Sequence, residues 1–245
     1  MFELGEKMPE KIIGILGGMG PEATIDLFAK IVKLTDAKRD QDHLRILIDN
    51  NPKIPDRTLA IQGKGPSPLP QLVRSAMILQ TAGADFIVIP CVTAHHFIGH
   101  LQKKVDIPIL HIIAETAVFI RTHLKGVYKI GLIATTGTIQ AGLFQKVFSA
   151  PHEEVFLPSS ETQEKKVMKA IYGKKGIKAI GPSEGSKRLI LQTSQELLHH
   201  GAQVIIAGCT EVPLVLKDRD LPVPVIDPIT ILAQSAIAKS RQRKG

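Results

Sequence analysis

At 245 residues, 44% of them apolar, the chain can build one large domain or two small ones around a substantial core, and no run approaches the roughly 18 apolar residues of a membrane span. Its net charge of +8, from 31 basic and 23 acidic side chains, reads as a solvated basic surface; aromatics are 4% and no basic stripe is interleaved with them, so nucleic-acid binding is not expected. Met1 to Glu6 carry acids and no apolar run, so no leader is expected and a cytoplasmic protein is the default.

In chain order the pattern reads strand 11–16, helix 22–34, strand 45–49 and a Pro-, Gly- and Lys-rich loop 50–70 leading into helix 69–81. Strands at 86–90 and 107–111, helix 112–123 and strand 129–133 follow. Helix 163–171, a second long loop 173–185, helix 186–199, strands 204–207 and 223–226 and helix 229–240 complete the chain. Continuous apolar strands alternating with amphipathic helices predict an α/β fold with mostly parallel sheet. Loops of this length are more often functional than connecting.

The chain also repeats itself. Gly14 within Lys11-Ile-Ile-Gly-Ile-Leu-Gly17 aligns with Gly131 within Tyr128-Lys-Ile-Gly-Leu-Ile-Ala134 at an offset of 117. Gly83-Ala-Asp-Phe-Ile-Val-Ile-Pro-Cys91 aligns with Gly201-Ala-Gln-Val-Ile-Ile-Ala-Gly-Cys209 at 118, and Ile107-Pro-Ile with Val223-Pro-Val at 116. Three landmarks at nearly one offset predict two similar α/β halves. The only two cysteines, Cys91 and Cys209, then occupy equivalent positions just past a strand, at the carboxyl edge where open α/β sheets bind ligands. Two thiols without CxxC or Cys/His zinc spacing are neither a disulfide framework nor a metal site. Halves facing each other about a pseudo-two-fold would oppose the thiols across one cleft. A thiolate and a thiol on opposite faces of a carbon acid can exchange a proton in both directions, which is what racemisation requires. Thr93 and Thr210, just past the thiols, are candidates to support them or to cap the helices that follow.

Five motifs follow one another along the chain: Gly14-Ile-Leu-Gly-Gly-Met-Gly-Pro-Glu-Ala-Thr24, Asn50-Asn-Pro-Lys-Ile-Pro-Asp-Arg-Thr58, Pro90-Cys-Val-Thr-Ala-His95, Ala134-Thr-Thr-Gly-Thr138 and Ala207-Gly-Cys-Thr-Glu-Val-Pro213. Together, in this order, they resemble the aspartate racemases of the aspartate/glutamate racemase superfamily. The resemblance implies two doubly wound domains, 1–112 with 227–245 and 113–226, with the active site in the cleft between them. It implies Cys91 and Cys209 as the acid/base pair, no pyridoxal phosphate, no other cofactor, no metal, and a homodimer. It implies Arg57, whose guanidinium can grip a carboxylate with two parallel bonds, near the substrate's side-chain carboxylate. Lys178 resembles a second cationic contact, and Asn50, Thr93, Thr135, Thr136, Thr138, Thr210 and Glu211 match pocket-lining positions. The substrate so implied is a small acidic amino acid, aspartate, which part of the positive charge excess would attract. One position departs from the pattern: Val92 stands where the motif carries Asn.

Gly18-Met-Gly-Pro-Glu-Ala23 also fits a dinucleotide fingerprint in form. Asp49 lies about 30 residues beyond Gly20 rather than about 20, and the repeat and paired thiols would be unexplained, so no nicotinamide cofactor is expected. His96 and His100 have helical ligand spacing without a third ligand. Two other readings remain: a racemase of glutamate or another amino acid retuned by Val92, and a catalytically silent two-lobed binder of acidic amino acids.

Overall fold

The structure, a computed structural model, describes residues 10–242; Met1 to Glu6, read above for a leader, lie outside the described residues. Two parallel sheets organise the chain. The first contains β1 (Ile13–Gly17), β2 (Ile46–Asn50) and β3 (Phe86–Val88) in the order β2-β1-β3. The second contains β4 (Lys129–Ile133), β5 (Glu154–Phe156), β6 (Val204–Ala207) and β7 (Val225–Ile226) in the order β5-β4-β6-β7. In chain order the helices are α1 (Pro21–Leu34), α2 (Arg57–Ile61), α3 (Leu69–Thr81), α4 (Ile98–Gln102) and α5 (Ile112–His123). Then come α6 (Thr136–Gln140), α7 (Leu143–Val147), α8 (Ser160–Thr162), α9 (Lys169–Tyr172), α10 (Ile177–Ile180), α11 (Glu184–His199), α12 (Val212–Val215) and α13 (Pro228–Ser240).

The repeat is visible in the strand register. Gly14 pairs with Ile87 in the first sheet and Gly131 with Ile205 in the second. Both glycines exist for close packing. A Cβ at Gly14 would lie 3.0 Å from the Ala84 Cβ, and one at Gly131 would lie 3.1 Å from the Ala202 Cβ and 2.5 Å from the Ile205 Cδ1. Asp85 and Gln203, also equivalent, each accept from the strand beside them: Ile12 N at 2.6 Å, and Tyr128 N and Lys129 N at 2.8 and 3.0 Å.

Strands β1, β3 and β6 are buried throughout, whereas the edge strands β2 and β5 are only partly covered. Helices dock by narrow apolar stripes. In α1, opened by Pro21, Ala23, Thr24, Leu27 and Ile31 are buried; in α11, capped by Ser183, Ile190, Thr193, Ser194 and Leu197 are. The last helix, α13, packs against α1 and α5. Its capping Asp227 receives Lys30 of α1 at 2.7 Å, and its Ser240 carbonyl accepts from Lys11 N at 2.8 Å. One apolar core runs through both halves, joining Ile13, Val88 and Ile229 to Leu132, Phe144 and Ile206.

Several elements differ from expectation. Residues 107–111 form a single bridge, Ile87 to Ile109, because Pro108 has no N–H to continue a ladder; its carbonyl still accepts from Ile87 N at 2.9 Å. The expected helix at 163–171 is a π-helical stretch, Gln163–Met168, between α8 and α9. Both long loops contain a short helix, α2 in 50–70 and α10 in 173–185.

Candidate active site

Each thiol sits one short turn beyond a buried strand. Cys91 follows β3 through Ile89 and Pro90, and Cys209 follows β6 through Gly208. Both are unpaired and nearly closed off, 5% and 6% exposed.

Cys91 is held through its backbone by His95. The His95 Nε2 accepts from Ile112 N at 3.2 Å, so the proton sits on Nδ1, which donates to the Cys91 carbonyl at 2.9 Å. Burial, with the neighbouring His111, pulls the His95 pKa down to about 4 and keeps this tautomer neutral.

Beside Cys91 lies Arg57, the first residue of α2. Asp56 caps that helix by accepting from Leu59 N at 2.8 Å, which sets where Arg57 points. Arg57 is 9% exposed, and its guanidinium donates to the carbonyls of Ile54, Pro55 and Met19 at 3.2, 3.0 and 3.3 Å, while its buried Nε finds no partner among the described residues. Burial opposes its charge, but Cys91, Tyr172 and Asp56 together raise its pKa.

Cys209 has a different companion. Its Sγ donates to Glu211 Oε2 at 2.9 Å, Thr210 Oγ1 donates to the same oxygen at 3.2 Å, and Lys178 pairs with the other oxygen. Burial first, then Glu211, raises the Cys209 pKa well above the ordinary thiol value, and Lys178 offsets only part of this. The Lys178 ammonium reaches inward from α10 at 5.6 Å above the Tyr172 ring. Tyr172 in turn donates to Asp56 at 3.1 Å, which ties the end of α9 to the cap of α2. Negative charge on either thiol would raise the pKa of Lys178 and of Tyr172, and a Cβ at Gly20, next to the Met19 carbonyl that Arg57 bonds, would lie 3.7 Å from Glu211 Oε1 and 3.8 Å from Lys178 Nζ.

The threonines divide. Thr93, Thr135 and Thr138 form a closed triangle of hydroxyls, with edges of 3.0, 2.9 and 3.1 Å, that joins the two halves. Thr135 also caps α6. Neither Thr93 nor Thr210 caps a helix: Val92 and Glu211 occupy those cap positions, neither side chain bonding the helix it opens, and each threonine hydroxyl is drawn to another oxygen nearby. Thr136 Oγ1 accepts from Gln163 Nε2 at 3.2 Å. At Gly137 a Cβ would lie 2.8 Å from the Thr58 Cα, so glycine permits the close approach of α6 to α2. Asn50 stands apart: it is exposed at the end of β2 and lines a shallow depression with Pro21, Ile25, Phe28 and Ile48. Val92 is 2% exposed and belongs to the shared apolar core.

Two like parallel α/β halves carrying matched thiols define an α/β protein whose polar site lies at strand ends. Residues 16–236 match the family described as Asp/Glu/Hydantoin racemase. The chain belongs to that family and is an isomerase of the amino-acid racemase class. It is 30% identical over 233 residues to the broad specificity amino-acid racemase RacX of Bacillus subtilis (strain 168), covering 93% of this chain and 97% of that one. Among solved structures it is similar to the aspartate racemase of Picrophilus torridus, with a TM-score of 0.77 at 26% identity over 94% of both chains. It is also similar to an aspartate racemase homologue from Pyrococcus horikoshii OT3, with a TM-score of 0.73 at 25% identity over 95% of this chain and all of that one.

Proposed function

We propose that this chain racemises an amino acid by a two-base mechanism without a cofactor, Cys91 and Cys209 serving opposite faces of Cα. One thiolate takes the α-proton, the electron pair remains on a planar carbanion, and the other thiol returns a proton to the far face. The observation that carries this reading is the equivalence of the two thiols in the repeat, each just past the carboxyl end of a buried strand that pairs with Gly14 or Gly131. The described parts of 1–112 and 227–245 would form one lobe and 113–226 the other, and the assembly to test by light scattering is a homodimer.

Aspartate is the substrate we propose first, because Arg57 and Lys178 bring positive charge to the site and a distal carboxylate suits a guanidinium. A second reading, a wider range of amino acids, has its own support. Lys178 is already paired with Glu211, Arg57 already serves three carbonyls, and the similar RacX is a broad specificity racemase. The test is Cα-deuterium exchange and racemisation with aspartate, glutamate, asparagine and alanine, on protein freed of metal and pyridoxal phosphate. Preference for aspartate supports the first reading, and comparable rates support the second. Absence of exchange with every amino acid would leave only a silent binder.

A further inference from the structure

Glu211 is the side chain that substrate contact alone explains least. Its side chain is 5% exposed, and buried acids persist only with partners. Lys178 takes one oxygen, and Cys209 and Thr210 share the other. A carboxylate only accepts, so the bond of 2.9 Å exists only while Cys209 holds its proton. Losing that proton would set two negative charges side by side in a nearly dry space. Cys91 is placed otherwise: Arg57 lies beside it, and its thiol bonds no carboxylate among the described residues.

We propose that Glu211 is the proton-retaining partner of Cys209: held by Lys178, it keeps Cys209 as the thiol in the resting enzyme, so Cys91 is the resting base. The assignment rests on the two-thiol mechanism above. In that state the Cα–H bond breaks toward Cys91 Sγ, and the electron pair stays on Cα. Cys209 delivers its proton to the opposite face, leaving Cys91 as thiol and Cys209 as thiolate. Return to the resting form moves one proton from Cys91 to Cys209, through solvent or by turnover of the opposite enantiomer. The charged and titratable groups facing Cys209 are Glu211 on its own loop, Lys178 from α10 and Tyr172 from α9. Glu211 disfavours the thiolate and Lys178 favours it, so removing each should have opposite effects.

The test is alkylation by iodoacetamide of the whole protein without substrate, followed for each cysteine by peptide mass spectrometry from pH 6 to 10. Thiolate reacts and thiol does not. In the wild type Cys91 should be alkylated first, with the Cys209 midpoint at higher pH. Glu211→Gln, similar in shape and uncharged, should raise the Cys209 rate at pH 8 by about tenfold or more, one pKa unit being tenfold in thiolate, with the Cys91 rate nearly unchanged. Lys178→Met should slow Cys209 further. A wild-type Cys209 that titrates at or below Cys91, or a Glu211→Gln midpoint equal to that of the wild type, would overturn the proposal. So would faster alkylation of Cys209 in both variants, which is the mark of mere loosening. Because no substrate is present, the result stands whether or not the two thiols turn over an amino acid.

Discussion

Acidification should weaken this fold through His95. In the folded protein its pKa is about 4, against an ordinary value of 6.5, because burial and the nearby His111 oppose the charge. Below pH 6.5 the unfolded chain therefore takes up a proton that the folded chain refuses. The stability His95 contributes is complete above pH 6.5, falls as pH drops toward 4, and levels off below. About 2.5 units at 1.36 kcal/mol each make the loss roughly 3 kcal/mol, a large share of a typical folding free energy of about 5–15 kcal/mol. The structural reason is specific: a protonated Nε2 can no longer accept from Ile112 N, and the start of α5 loses its tie to the Cys91 loop. Urea unfolding at steps from pH 7 to 4, on wild type and His95→Gln, measures this. Carboxylates titrate in both proteins, and so does His111, whose pKa burial also lowers, so the difference between the two curves isolates His95. That difference should shrink or reverse by roughly 3 kcal/mol across the range. Parallel curves would refute the argument.

Val92→Asn places an amide in the shared apolar core and should cost about 1–3 kcal/mol, read as a lower Tm, with no gain toward aspartate. A gain at unchanged Tm would mean that the side chain faces the substrate. Arg57→Lys should lower kcat/KM for aspartate roughly tenfold to a hundredfold more than for asparagine, as expected from one lost charged bond; equal losses would remove Arg57 from the distal carboxylate. Tyr172→Phe deletes the bond to Asp56 but keeps the ring beneath Lys178, and should cost about 1 kcal/mol in urea unfolding. A larger loss would mean that the hydroxyl carries more of the contact between the halves than one hydrogen bond does.

Much of this architecture was legible because the repeat expresses packing. Gly14 with Ala84, and Gly131 with Ala202, are the same close contact made twice, so their spacing betrayed both sheets and aligned the thiols. Other parts left weaker traces. Strand β5 is three residues at an edge with an exposed glutamate at its start, too short for a buried-strand pattern. The stretch 107–111 looks like a strand by composition, yet Pro108 limits it to one bridge. Thr93 and Thr210 read locally as caps because hydroxyls before helices usually are. What redirects Thr93 is a pair of hydroxyls 42 and 45 residues away, and what redirects Thr210 is the carboxylate beside it. The pairing of Lys178 with Glu211, 33 residues apart, and the bridging role of His95 likewise arise from folding, not from any local pattern.

The central claim is that two thiols act from opposite faces of one carbon. It is tested most directly by turnover in deuterium oxide at low conversion, with wild type, Cys91→Ser and Cys209→Ser, using the amino acid that reacts fastest. The wild-type product enantiomer should carry an α-deuteron while recovered substrate keeps its proton, since removal and return use different groups. Each serine variant should lose at least about a hundredfold in racemisation, the low end of what one acid/base group contributes. Near-wild-type turnover by either variant, or deuterium appearing as fast in recovered substrate as in product, would contradict it.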